Sequence, residues 1–179
     1  MTYQKSTGKL PRVFNHFLGT GGNDAPWMTT MDPHVAETDY YVTPPVGEVW
    51  EVRKLLCSYE AENLMEVEQF GVDFALNGGI SIVVSRAGVE QVLNYGLPIQ
   101  NNGDFAVCGF DVTWEEHPIF KFPENERVGA ILRFEQMFGA PLVLRYGDKL
   151  IVRYLADSDT SALYEGYWTA SGISHHYAT

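Results

Sequence analysis

From Pro44 onward, almost every apolar run in this chain is short, rich in β-branched or aromatic residues, and bounded by a turn signal. Ile80–Arg86 reads ISIVVSR, between Asn77-Gly78-Gly79 and Ala87-Gly88. Such runs form strands that bury at least one face. Val49–Tyr59, Val89–Tyr95, Phe105–Trp114, Arg127–Phe138 and Ala162–Ala170 read the same way. Asn101–Asp104 reads as a turn, Pro118–Pro123 as an extended crossing, and Glu60–Leu76 as a short helix or a long loop. Pro141–Arg145 and Lys149–Leu155 flank Tyr146-Gly147-Asp148, which predicts a hairpin. About eight short strands with turns between them predict an all-β body, a β-sandwich or jelly roll, over residues 44–179.

Residues 1–43 differ. Gly and Pro punctuate them, and no run of regular structure is expected. Large apolar residues recur between the breaks, among them Phe14, Phe17, Trp27 and Met28. A disordered linker would not carry so many. Each exposes apolar area unless it finds a pocket. The stretch is therefore expected to be an extended N-terminal arm, ordered on assembly, whose anchors lie on the protein's own body or on a neighbouring subunit.

Charge follows the same division. The net charge is −11, and residues 1–12 carry Lys5, Lys9 and Arg12 with no acid. From Glu48 to the end there are nine basic and nineteen acidic residues. An acidic body argues against nucleic-acid binding, which needs a basic footprint. A basic tip suits an acidic neighbour, although three charges in a tail also serve for solvation alone. The polar start Met1–Leu10 does not read as a signal peptide, and no apolar run is long enough for a membrane helix.

Catalytic and metal chemistry find little support. Cys57 and Cys108 lie in apolar runs without metal spacing, and are expected to be reduced, buried and structural. In Glu115-Glu116-His117 only Glu115 and His117 would share a strand face. His16, His34, His175 and His176 lie in the arm and the tail and read as surface residues. Asp157–Ser161 lacks the glycine and distal Glu of a calcium loop, and reads as a solvated turn. Gly19-Thr20-Gly21-Gly22 is no phosphate loop, lacking the Lys-Ser/Thr that follows one. No cofactor, no metal and no enzymatic activity are expected. The positive signal is aromatic: ten Tyr, ten Phe and four Trp, with Trp50, Phe110 and Phe134 expected in the core. Aromatics beyond core need suit interfaces or sugar stacking.

Several short motifs, in order, carry a resemblance. Pro44-Pro45-Val46-Gly47-Glu48-Val49-Trp50-Glu51-Val52-Arg53-Lys54-Leu55 resembles the first body strand of small jelly-roll virion proteins of tailed bacteriophages. Asn77-Gly78-Gly79-Ile80, Gly96-Leu97-Pro98-Ile99 and Gly147-Asp148-Lys149-Leu150 followed by Asp157–Leu163 are similar to later segments of the same proteins. The resemblance spans Pro44–Gly172 and does not extend to the arm. It implies a head decoration or cement protein, made in the host cytoplasm and seated on the virion surface. Its implied partners are the major capsid protein and itself, as a homotrimer or dimer, with neither nucleic acid nor membrane. Phe14, Phe17, Trp27, Met28, Lys5, Lys9 and Arg12 are then the expected partner-binding anchors. The competing expectation is a carbohydrate-binding jelly roll, or a tail or fibre component.

Overall fold

The computed structural model describes residues 9–17, 39–61, 78–116, 126–155 and 163–177. They form two antiparallel sheets. The larger sheet has the spatial order β1 (Arg12–Phe17), β10 (Leu163–His176), β3 (Glu48–Ala61), β7 (Glu126–Arg133) and β6 (Phe110–Glu116). A further strand, β8 (Leu142–Arg145), also pairs with β3. The smaller sheet has the order β2 (Asp39–Val42), β9 (Lys149–Tyr154), β4 (Ile80–Arg86) and β5 (Val89–Val92). The pairs β1·β10, β2·β9, β3·β8 and β4·β5 nest one inside the next, like the rungs of one long hairpin.

Alternation explains the core. Trp50, Val52, Leu144 and Ala170 from the larger sheet join Ile80, Ile82, Val84, Leu150 and Val152 from the smaller one in a single buried cluster. A buried hydrogen bond from Trp168 Nε1 to Tyr154 Oη, 3.0 Å, links the two sheets. It satisfies two polar groups that burial would otherwise penalise. Phe110 and Phe134 are buried, as expected, and so are both unbridged cysteines.

β3 carries an irregularity at Arg53. On one side, Ser171 pairs with Lys54 and Gly172 with Val52. On the other, Arg133 of β7 pairs with Lys54 and Leu142 of β8 with Val52. Both neighbours skip Arg53. Between β7 and β8 the chain makes the short helix α2 (Phe134–Phe138), closed by Gly139 at φ 75°. The same irregularity presses β3 on Gly172, where a Cβ would collide with the Glu51 carbonyl oxygen and lie 3.0 Å from Val52 Cα.

Several expectations are corrected. The stretch expected to lack regular structure contributes β1 and β2, one to each sheet. Asn101–Asp104 is not a plain turn but the start of α1 (Asn102–Val107). Asn101 Oδ1 accepts from Asp104 N at 3.0 Å, and Asp104 Oδ2 accepts from Gln100 N at 2.9 Å. The first is an N-cap bond, and the second ties the first turn back to the residue before the cap. The strand expected from Phe105 therefore begins at Phe110, after Gly109 at φ 84°. Arg127–Phe138 is a strand only as far as Arg133. The Tyr146-Gly147-Asp148 turn exists, with Asp148 N donating to Arg145 O at 2.8 Å, but it closes no hairpin. β8 bonds to β3 and β9 to β2 and β4, so the turn carries the chain from one sheet to the other. β10 runs on to His176, which places His175 and His176 in a strand and half-buried rather than on a surface tail. Pro118–Pro123, Asp157–Ser161, His34, His117 and most of Glu60–Leu76 lie outside the described residues.

Candidate partner-binding surface

β1 is built from RVFNHF, and its Phe14 ring turns inward. Phe14 is buried and stacks on Trp50, with centroids 4.5 Å apart and an interplanar angle of 26°. Trp50 is itself fixed, because its Nε1 donates to Glu48 Oε2 at 2.8 Å. The same oxygen accepts from Ser174 Oγ at 2.6 Å. His176 Nδ1 lies 3.5 Å from the other oxygen of that carboxylate. On the opposite parity of the strand pair, His175 Nε2 approaches Glu51 Oε1 at 3.3 Å without hydrogen-bond alignment. Two acid–histidine contacts thus join the end of β10 to the start of β3, just beyond the part of β10 that pairs with β1.

The approach to β1 and its outward parity are different. Leu10, just before the strand, is 82% exposed, and Val13, on the outward parity, is 86% exposed, beside exposed Lys9 and Arg12. Two bare apolar side chains among two cations, at the start of a strand on the edge of a sheet, suit contact with another protein. The sequence-predicted anchors therefore separate. Phe14 is taken up by this chain's own Trp50, so it is not offered to a partner, and its segment needs no assembly to pair with β10. Lys9 and Arg12 are exposed at the edge. Phe17 has its backbone in β1. Lys5, Trp27 and Met28 lie outside the described residues. Val13 was missed as a contact residue because nothing local in the sequence says which parity of an edge strand is bare, and Leu10 because nothing local says where the strand begins.

A second exposed group gathers where β5 leaves the smaller sheet. Asn94 is buried and holds this bend: its Oδ1 accepts from Ile82 N at 3.2 Å, and its Nδ2 donates to Ile80 O at 3.1 Å and to Leu97 O. Tyr95, next in the chain, is held at φ 55°, a conformation bulky residues rarely adopt, and its ring is largely exposed. Its hydroxyl lies 3.8 Å from Met137 Sδ. Met137 in turn covers Gly109, where any Cβ would meet its thioether. The Gly78-Gly79-Ile80 and Gly96–Ile99 segments meet here, with Ile80 and Ile99 exchanging two backbone bonds of 2.9 Å.

The outer side of the smaller sheet is tied by charge. Arg153 on β9 bonds Asp39 on β2 at 2.7 and 2.9 Å and Glu90 on β5 at 2.8 and 3.0 Å. Hydrogen bonding to Arg153 holds the Glu90 carboxyl below its usual range. Both carboxylates raise the already high guanidinium value, Asp39 most. Burial pushes the Cys57 thiol up, and burial with the nearby Asp104 charge does the same at Cys108. Neither thiol is poised for nucleophilic chemistry.

Among the described residues, no three His, Cys, Asp or Glu side chains gather as metal ligands would, and no helix is long and apolar enough to cross a membrane. Compared with protein-family models, with curated proteins and with solved structures, the chain matches none.

Proposed function

We propose that this chain is a structural virion protein with a jelly-roll body, of the head-decoration type its motifs resemble, which binds a capsid shell through its N-terminal strand. The nested pairs β1·β10, β2·β9, β3·β8 and β4·β5 support the jelly-roll reading. They wrap one long hairpin around a core, and β6 and β7 enter as an inserted pair. Fold alone does not give function. The observation that carries the assembly reading is the β1 edge, with Leu10 and Val13 bare beside Lys9 and Arg12. The major capsid protein is the proposed shell partner, and the chain itself, as a homo-oligomer, is the second.

Deleting residues 1–43 would remove two strands, so a surface variant gives the cleaner test. The full chain and a Lys9→Glu, Leu10→Ser, Arg12→Glu, Val13→Ser variant are co-sedimented with expanded phage heads across a salt series. The reading expects the wild type to pellet with heads, less so at high salt, and the folded variant to remain in solution. A wild type that never pellets with particles at any salt ends the decoration reading.

A further inference from the structure

Among the described residues, the smaller sheet ends at β5, which reads VEQV and pairs with β4 alone. All four residues of β5 are exposed, whereas β2, at the other end of the same sheet, has no exposed residue. Val89 is 73% exposed and Val92 41% exposed. Edge strands are ordinarily guarded by charge. β5 carries one charge, Glu90, and Arg153 already pairs with it through two hydrogen bonds. Leu93 N donates to Ile82 O at 2.7 Å, and the β4·β5 register runs on from that pair. Alternate residues of an antiparallel strand bond to the same neighbour. Leu93, Gln91 and Val89 therefore turn their backbone N–H and C=O groups to β4, and Glu90 and Val92 turn theirs to the open side.

We propose that two copies of this chain join β5 to β5 about a two-fold axis, so that their smaller sheets become one. An axis normal to the sheet makes the two strands antiparallel and keeps each face on its own side. Facing residues then share a parity. With Gln91 facing its own copy, Glu90 faces Val92 of the second copy, and Val92 faces the second copy's Glu90. These are the residues whose backbone groups are open, so this register completes both pairs. Val89 faces Leu93 of the second copy, and exposed apolar surface is covered. No like charges meet. A shift by two residues one way sets Glu90 against Glu90, and like charges facing across a strand pair destabilise it. A shift the other way sets Glu90 against Asn94, whose carbonyl already accepts from Leu97 N at 3.1 Å. The chain also leaves the strand there, at Tyr95 with φ 55°. One register thus uses every open backbone group of the strand without opposing charge.

The inference rests on the homo-oligomer of the proposed function and names its interface. The full chain, Gln91→Glu, Gln91→Lys, an equimolar mixture of those two, and Val92→Pro are compared by light scattering over a concentration series, with circular dichroism as the control for folding. The wild-type mass is expected to approach twice 20.1 kDa. Gln91→Glu and Gln91→Lys each set like charges across the axis and weaken the dimer about fivefold. Their mixture sets opposite charges there and restores it. Val92→Pro removes an N–H that β4 does not use, a place where edge strands accept proline. The fold is expected to survive and the dimer to be lost. If Val92→Pro misfolds, the Gln91 variants and their mixture decide. A monomeric wild type, an unchanged mass for folded Val92→Pro, or a mixture no tighter than the single Gln91 variants would each overturn the junction. A monomer that pellets with heads until Val92→Pro is made would also overturn it, assigning the edge to the shell partner. A dimer that never pellets with heads counts against the capsid reading alone.

Discussion

The ring of Phe14 lies on the ring of Trp50 at 4.5 Å, and this contact pins the first described strand to the core. Stacked aromatic pairs add to the stabilisation from burial. Phe14→Ala is expected to cost about 3 kcal/mol, the lower end for a buried Phe, because the site lies at a sheet edge. It should also free β1, so that trypsin cuts rapidly after Arg12 in the variant and slowly in the wild type. Denaturant titration and mass spectrometry of the digest read the two effects. Equal digestion of both proteins would mean that backbone pairing with β10 alone holds the strand.

Gly172 faces the irregularity in β3, where both of the neighbouring strands skip Arg53. A Cβ there would stand 2.9 Å from the Glu51 carbonyl carbon and closer still to its oxygen. Backbone cannot move aside as a flexible side chain can. Gly172→Ala should therefore part β10 from β3 and destabilise the fold by more than about 3 kcal/mol, beyond the common range for point changes. A melting temperature within a degree or two of wild type would show that the strands can separate at little cost.

The Arg153 clamp makes a pH prediction. Arg153 depresses the Glu90 carboxyl from its ordinary 4.5. A depressed carboxyl stabilises the fold above its unfolded value, and that contribution is lost as pH falls through the folded one. Arg153→Met should lower stability at pH 7, and the deficit should shrink as the pH drops below 4.5. Both groups are partly exposed, so salt should narrow the difference as well. A deficit constant from pH 7 to pH 3 would assign the effect to lost packing of the arginine stem.

Both thiols should resist native-state labelling, since each is buried and each thiolate is disfavoured. Cys108 should react first. It caps a six-residue helix, whereas Cys57 sits in the middle of β3 between β7 and β10. Timed labelling with peptide mapping gives the order; Cys57 reacting first would place the weak point in the sheet centre.

Asn94→Ala removes a side chain that serves Ile82 N, Ile80 O and Leu97 O at once. Leaving such groups unmatched costs about 1–3 kcal/mol each where water cannot replace the bond. A loss of several kcal/mol in denaturant titration is expected. A near-neutral change would show that water enters the bend.

What the sequence disclosed follows from how far each element depends on its own residues. β4 was legible because ISIVVSR is rich in β-branched residues and set between glycine-containing turns. β1 and β2 were not. RVFNHF has one β-branched residue, and DYYV finds its partner more than a hundred residues away on β9. The Asn101–Asp104 pair read as a turn because the same residues that cap a helix also make turns. The Tyr146–Asp148 turn was placed correctly, yet local residues fix the bend and not which sheet receives each arm. At the candidate surface, Phe14 stood out as an anchor by its size, but only the fold shows that Trp50 receives it and that Val13 faces outward.

β10 lies between β1 and β3, paired with β3 along nearly its whole length and with β1 from Thr169 to Ser174. A chain still emerging from the ribosome has no β10 for β1 or for that side of β3 until Leu163–His176 is free of the exit tunnel. Until then β3 offers one side of its backbone to any passing strand. The larger sheet can therefore close only after synthesis has passed His176, through contacts of long sequence separation that form slowly. Translation products stopped short of that point would carry a ready template for aggregation, and chaperone dependence should be greatest in that interval.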